Sequence, residues 1–380
     1  MLTAALDVPS SCHTEMKGPY FARGNMTRQE PFIDRHEQTV FAASDTYPRN
    51  MGADIMELTD GRLFLAFSQW YTGTHDTDDS RVMGVLSDDG GRCWSEPFPV
   101  ALPFGPVKTL RMPSMIRRHD GCIVMLMRCR TTPTVAWVGM TSCADESAIG
   151  ESESVWSTPV RVSPPPPGRH IALNNRLVRL STGRLLLAVS SPWPWDREDV
   201  KGQDLRAWCL LSDDDAETWQ VSRTILAGPG RGAMEPYVVE RRDGHLLMLI
   251  RTDAGFQYRS ISHDQGETWT DPVPQRDLLS VQSPCAVRRA PSLGALIIVW
   301  NQNRPGAHAR DRTPLTIGIS HDEGESWSAL ANLETDPERD FSYPSLNFIG
   351  DRAYVTYYER QGAQISLKLQ SFVLNLTCRG

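Results

Sequence analysis

The sequence predicts an all-β protein, a six-bladed β-propeller of four-stranded antiparallel blades. Three observations carry that prediction. A pattern Ser-x-Asp-x-(Gly or a substitute)-x-x-Trp occurs four times, at Ser87–Trp94, Ser212–Trp219, Ser262–Trp269 and Ser320–Trp327. It has the chemistry of a tight hairpin: the Asp side chain bonds backbone N–H groups ahead of it, Gly supplies a positive φ, and Trp packs back under the turn. A second repeat, apolar strand, tight turn, apolar strand, runs through the whole chain. Its turns lie about 50 to 60 residues apart, the length of one four-stranded blade.

The hairpins follow in order. Ile55–Phe67 turns at Asp60-Gly61, and further turns fall at Asp120-Gly121, Thr182-Gly183 and Asp243-Gly244, with weaker copies at Ala290–Gly294 and Gly350-Asp351. Asp-Gly between β-rich runs is the strongest short hairpin signal. The Ser-x-Asp patterns come 26 to 30 residues after the turn in blades one, three and five and about 20 after it in blade four, so each joins a third strand to a fourth. Blade two keeps a ragged relic with an insertion, Ser142–Trp156, and blade six has none. After the last hairpin one strand remains, Gln364–Val373, and Gln38–Ser44 is the candidate to supply the missing outer strand and close the ring. Residues 1–36, rich in Gly, Pro and charge, read as an N-terminal arm or cap, and 37–380 as a single propeller domain. The proline run Pro164–Pro167 reads as a stiff connection. Trp193 and Trp195 read either as a sugar-stacking wall or as a packed surface loop.

Composition narrows the function. Of 380 residues, 40% are apolar and 22% charged, as in a soluble globular protein. A net charge of −7 argues against a nucleic-acid or anionic-membrane partner. No apolar run approaches a membrane span and no leader is visible, so the expected compartment is the cytoplasm. Eight scattered cysteines lack metal-site spacing and read as reduced thiols, and no metal or organic cofactor is expected.

In a propeller the first strand of each blade lines the central channel. Ahead of those strands lie Arg49–Asp54, Arg111–Ser114, Asn174–Arg176, Glu235–Tyr237, Gln282–Pro284 and Tyr343–Ser345; Arg128 and Arg251 each fall seven residues beyond a hairpin glycine. A ring of arginines with a Glu and a Tyr suits an anionic sugar, because guanidinium binds carboxylate through two parallel hydrogen bonds.

From about residue 45 to 372 the chain resembles the sialidase (neuraminidase) superfamily, whose "Asp boxes" have the Ser-x-Asp-x-Gly-x-x-Trp pattern. The most specific stretch is Glu235-Pro236-Tyr237 through Asp243-Gly244 to Arg251. The resemblance implies an exo-acting, retaining glycoside hydrolase that releases a terminal acidic sugar, with sialic acid as the default. It implies Tyr343 as nucleophile and Glu235 as its base, a neutral phenol avoiding repulsion from the substrate carboxylate. Arg251 and Arg312 match carboxylate-binding arginines. The acid/base is expected on the loop after the second strand of blade one, at Asp76, with Asp78 and Asp79 as alternatives; His75 beside it reads as a surface residue. Sialidases enter blade one with Arg-Ile-Pro, whereas this chain has Tyr47-Pro48-Arg49-Asn50-Met51-Gly52-Ala53-Asp54. Either Arg49 or Arg111 then supplies the third arginine, and Asp54 lies near the same entrance as a further substrate-binding candidate. A hydrolase or lyase for another uronic or ulosonic acid, and a non-catalytic carbohydrate-binding propeller, are the alternatives.

Overall fold

Strands take up almost all of the regular structure. The computed structural model describes residues 31–152, 155–164, 168–194, 204–303, 307 and 311–376. Residues 1–30 of the span 1–36 read as an arm, Pro165–Pro167 and Trp195 lie outside the described residues. The strands pair in successive antiparallel groups of four. The first is β2 (Arg49–Glu57), β3 (Leu63–Trp70), β4 (Ser80–Ser87) and β5 (Phe98–Ala101); the second is β6 (Thr109–Arg117), β7 (Ile123–Arg130), β8 (Ala136–Cys143) and β9 (Val160–Arg161). Next come β10 (Ile171–Arg179), β11 (Leu185–Pro192), β12 (Leu205–Ser212) and β13 (Gln220–Val221), then β14 (Met234–Glu240), β15 (Leu246–Arg251), β16 (Phe256–Ser262) and β17 (Val273–Leu279). They are followed by β18 (Ala286–Arg289), β19 (Leu296–Trp300), β20 (Leu315–Ser320) and β21 (Ser328–Glu334). The last group is β22 (Asp340–Ile349), β23 (Arg352–Gln361) and β24 (Gln364–Leu374), whose free edge takes β1 (Phe32–Phe41). That outer strand begins at Phe32, earlier than the Gln38 expected, and runs antiparallel from Phe32 opposite Leu374 to Phe41 opposite Leu367. The pairing covers the edge of the last sheet.

The groups pack face to face because successive side chains on a strand point to opposite faces. On β3, Phe64 and Ala66 join a cluster with Met125 and Met127 of the second group, while Leu65 and Phe67 join Leu367 and Leu369 of the last. On β7, Val124 and Leu126 meet Leu185 and Leu187 of the third group. Leu186 and Ala188 meet Leu246 and Met248 of the fourth, and the remaining cluster runs from Leu247 and Leu249 through Ile297 to Val355. Middle strands buried on both faces account for the unbroken apolar runs of the sequence. The arrangement is propeller-like, with the last group packed on the first.

The four Ser-x-Asp turns lie between β4 and β5, β12 and β13, β16 and β17, and β20 and β21, as their spacing predicts. In each, the Ser hydroxyl donates to the Asp carboxylate, at 2.8 to 2.9 Å, and accepts the N–H of the Gly-position residue, at 2.8 to 2.9 Å. That residue is left-handed in all four, including Ala216 (φ 77°), which holds with a Cβ the conformation its counterparts reach as glycine. The carboxylate also accepts N–H groups three or four residues on, so the turn closes on its own side chains.

Candidate active site

A shared irregularity of the first strands builds the site. Pairing with the second strand shifts register between Met51 and Asp54 on β2, Arg111 and Ser114 on β6, Met234 and Tyr237 on β14, and Ser342 and Ser345 on β22. Within each shift one residue has positive φ: Gly52 (61°), Met112 (62°), Glu235 (41°) and Tyr343 (55°). A bulge of this kind re-aims a side chain, and bulges gather at functional sites. Three of the four residues precede a proline, whose ring bars the ordinary helical conformation to the residue before it. Serines of a neighbouring second strand anchor the bulges: Ser68 Oγ accepts the Met112 N–H at 2.8 Å and Ser190 Oγ that of Glu235 at 3.2 Å.

These strands surround a cavity of about 490 Å³ lined by Arg49, His75, Asp76, Glu235, Arg251, Arg312 and Tyr343, among others. The Tyr343 hydroxyl donates to Glu235 Oε1 at 3.1 Å, and Arg251 Nη1 donates to the Tyr343 oxygen at 3.4 Å. Arg251 also pairs directly with the Glu235 carboxylate. Burial, and then the charge of Glu235, push the Tyr343 phenol above its ordinary value, so it rests protonated, with Arg251 and Arg312 working the other way. Burial works against the charge of Arg251, but Glu235 and Tyr343 outweigh it and fix the guanidinium as a cation. The Arg312 guanidinium lies 5.5 Å from the Tyr343 ring centroid, donates to the Tyr358 hydroxyl at 2.7 Å and to the Gln282 carbonyl at 3.2 Å.

Asp76 enters from the loop after β3. Asp78 holds that loop together by accepting the His75 N–H at 2.8 Å, the Asp79 N–H is taken up by Thr72 Oγ1 at 2.8 Å, and Asp76 is left open to the cavity with 71% of its side chain exposed. Arg49 Nη2 pairs with it at 2.9 Å and Arg111 Nη1 at 3.3 Å. The cavity walls desolvate the Asp76 carboxyl, which works upward; Arg111, then Arg49 and Arg128, overcome this and hold it well below the usual carboxylate range.

The structure brings Arg49, not Arg111, to the cavity lining. Arg49 lies two residues before Met51 and so on the same face of β2. Its Nε approaches the Met51 sulfur at 3.2 Å, its Nη1 donates to the Thr74 carbonyl at 2.9 Å, and its guanidinium stacks 4.3 Å from the Trp70 ring centroid. Arg111 is buried beneath Asp76, against the same indole at 5.5 Å. Asp54 is not brought to the lining. Its buried carboxylate accepts the Met115 N–H at 2.8 Å and the side-chain amides of Asn175 and Asn347 at 2.8 and 3.0 Å, tying β2 to β6, β10 and β22. Trp193 also stays outside the lining, with Arg206 stacked at 5.1 Å. Sequence reading missed Arg169, Arg231, Tyr358 and Arg360, which line the cavity. Arg169 and Arg231 sit just ahead of first strands, the signal that marked Arg49.

The fold and cavity define a class: a propeller-like all-β protein with an arginine-lined pocket and a hydrogen-bonded Tyr–Glu pair. A family model described as a BNR repeat-like domain matches residues 151–355. Over 327 residues the chain is 24% identical to a sialidase of Micromonospora viridifaciens, covering 79% of this chain and 48% of that protein, so it spans about half the relative's length. Among solved structures, Trypanosoma rangeli sialidase in complex with the inhibitor DANA superposes with a TM-score of 0.70 at 13% identity, covering 90% of this chain and 60% of that one. The NanB sialidase of Streptococcus pneumoniae gives 0.68 at 16% identity, with 91% and 71% covered. A Dyadobacter fermentans protein of unknown function gives 0.64 at 17%, with 90% and 99% covered. The chain belongs to the BNR repeat-like family, within the sialidase superfamily.

Proposed function

We propose that the protein is an exo-acting, retaining glycoside hydrolase on a closed six-bladed propeller, releasing a terminal acidic sugar, with sialic acid as the first substrate to test. One observation carries the reading: the Tyr343 hydroxyl lies 3.1 Å from Glu235 in a cavity that also holds Asp76 and, among its arginines, Arg49, Arg251 and Arg312. Arg49, Arg251 and Arg312 clamp the substrate carboxylate and align the anomeric carbon. Glu235 takes the phenol proton as Tyr343 attacks that carbon, while Asp76 gives a proton to the departing glycosidic oxygen. Water then attacks the anomeric carbon of the glycosyl-tyrosine, giving a proton to Asp76, and the departing Tyr343 phenolate takes its proton back from Glu235. Arg111, Arg49 and Arg128 hold Asp76 in its ionised form, the one suited to this second half; a substrate carboxylate bound to Arg49 offsets that hold and lets it carry a proton.

The test is turnover of fluorogenic sialosides and uronides by the wild type, Tyr343→Phe and Glu235→Gln. The reading expects kcat to fall by about 10²-fold or more in both variants, with circular dichroism unchanged. Unchanged rates sink the mechanism, and turnover of a uronide alone moves the substrate to another acidic sugar.

A further inference from the structure

Among the described residues, six arginines line the cavity, at 49, 169, 231, 251, 312 and 360, against two carboxylates, Asp76 and Glu235. Both carboxylates are engaged, Asp76 by Arg49 and Arg111 and Glu235 by Arg251. Arg169 and Arg231 belong to the wall where β10 and β14 begin, beside Ile171, Leu205 and Met234. The Arg169 Nε is buried without a hydrogen-bond partner among the described residues. Arg231 is exposed; its backbone N–H bonds Asp253 at 3.2 Å. Beneath them Arg128, on β7 opposite Arg111, is 7% exposed, and its Nε also lacks a partner. Burial, then Arg111 and Arg169, push the Arg128 guanidinium well below its ordinary value, the mark of cations crowded with too few acceptors. One substrate carboxylate in the clamp leaves this crowding unrelieved.

We propose that the preferred substrate is at least a dianion: beside the carboxylate held by Arg49, Arg251 and Arg312, it carries a second anionic group that seats against Arg169 and Arg231. The inference rests on the hydrolase reading above. Carboxylate, sulfate and phosphate share the needed chemistry, oxygens that accept from a planar guanidinium. The second group sits either on the released sugar or on its neighbour.

Three compounds separate these sources: α2,3-sialyllactose with one anion, its α2,8-disialyl homologue with a second carboxylate on the neighbouring sugar, and its 8-O-sulfated form with the second anion on the released sugar. kcat/KM is measured for wild type, Arg169→Gln and Arg231→Gln. At least one dianion is preferred about tenfold over the monoanion, and the preference falls to about twofold or less in either variant and shrinks with added salt. Turnover of all three at equal efficiency overturns the inference and leaves the hydrolase reading standing. Calorimetric binding of the same compounds to Tyr343→Phe reads the ratio independently of chemistry. A dianion preference in binding with no turnover by wild type overturns the hydrolase reading alone, and equal affinities overturn the inference.

Discussion

Asp54 separates the structure from the sequence most cleanly, because its place at a blade entrance suggested substrate binding and its contacts are those of a brace. Asp54→Ala removes the acceptor for three donors on other strands: the Met115 N–H at 2.8 Å, Asn175 Nδ2 at 2.8 Å and Asn347 Nδ2 at 3.0 Å. A buried donor left unpaired costs about 1–3 kcal/mol. Asn175 retains its bond to the Asn347 carbonyl at 2.9 Å, which puts the loss toward the low end for that pair. Burial raises the Asp54 pKa, so its removal also relieves a desolvation cost. The net destabilisation is about 3 kcal/mol, which for a chain of this size lowers Tm by about 4 °C. Thermal unfolding followed by circular dichroism reads that shift, with kcat/KM on a sialoside measured well below the transition. The expected result is a lowered Tm with kcat/KM within about threefold of wild type. An unchanged Tm with a hundredfold loss of kcat/KM would refute the reasoning and return Asp54 to the substrate. Asp54→Asn keeps an oxygen for Met115 but turns an amide toward two other amides, so its Tm falls between the two.

Three further perturbations probe the charges. The Asp89 and Asp322 carboxyls are lowered to about 2; the Cys93 N–H is the largest cause for Asp89, and for Asp322 the bonds from Ser326 outweigh burial. Their stabilisation is therefore present above an unfolded pKa of about 3.9 and lost as pH falls toward about 2; replacing both with Asn flattens the fall of the urea midpoint across that window, and an unchanged slope refutes it. Arg49→Ala, which opens the clamp, lowers kcat/KM on a sialoside by about a hundredfold. Arg111→Met instead frees Asp76 from its strongest cationic hold, so the acid form persists to higher pH and the alkaline limb of kcat/KM moves up; the reverse effects in the two variants overturn the placement of Arg49 in the cavity and Arg111 beneath it.

Much of the fold was legible because its signals are local. Hairpin turns and Ser-x-Asp turns are written in consecutive residues whose side chains satisfy their own backbone, so spacing alone fixed where third and fourth strands meet. The outer strand was less legible: apart from Ile33, β1 is polar on its exposed face, and its start at Phe32 depends on pairing with β24, a contact between segments far apart in the chain. Tyr343, Glu235 and Arg251 could be gathered from their distance to turns, since each lies at a repeated register position, whereas Arg312 and Asp76 lie on loops and were reached only through the family resemblance.

The choice between Arg49 and Arg111 could not be read that way, and the reason is physical. Register counting compares Met51 with Arg111, because each stands at the last regular pair before the bulge, opposite Ser68 and Arg128 respectively. By that count Arg49 is two residues misplaced. A strand carries residues two apart on one face, however, and a long side chain spans the difference. Trp70 and Thr74 then fix the Arg49 guanidinium at the cavity. Gly52 follows from the same substitution. At the bulge position that carries Glu235 on β14 and Tyr343 on β22, a Cβ on residue 52 would come within 2.4 Å of the Met112 sulfur. The first group therefore presents no bulge side chain, and its contribution to the cavity passes to the end of the strand and to the loop that carries Asp76. A positional motif fails here because the side chain's reach, rather than its backbone register, decides where the charge lies.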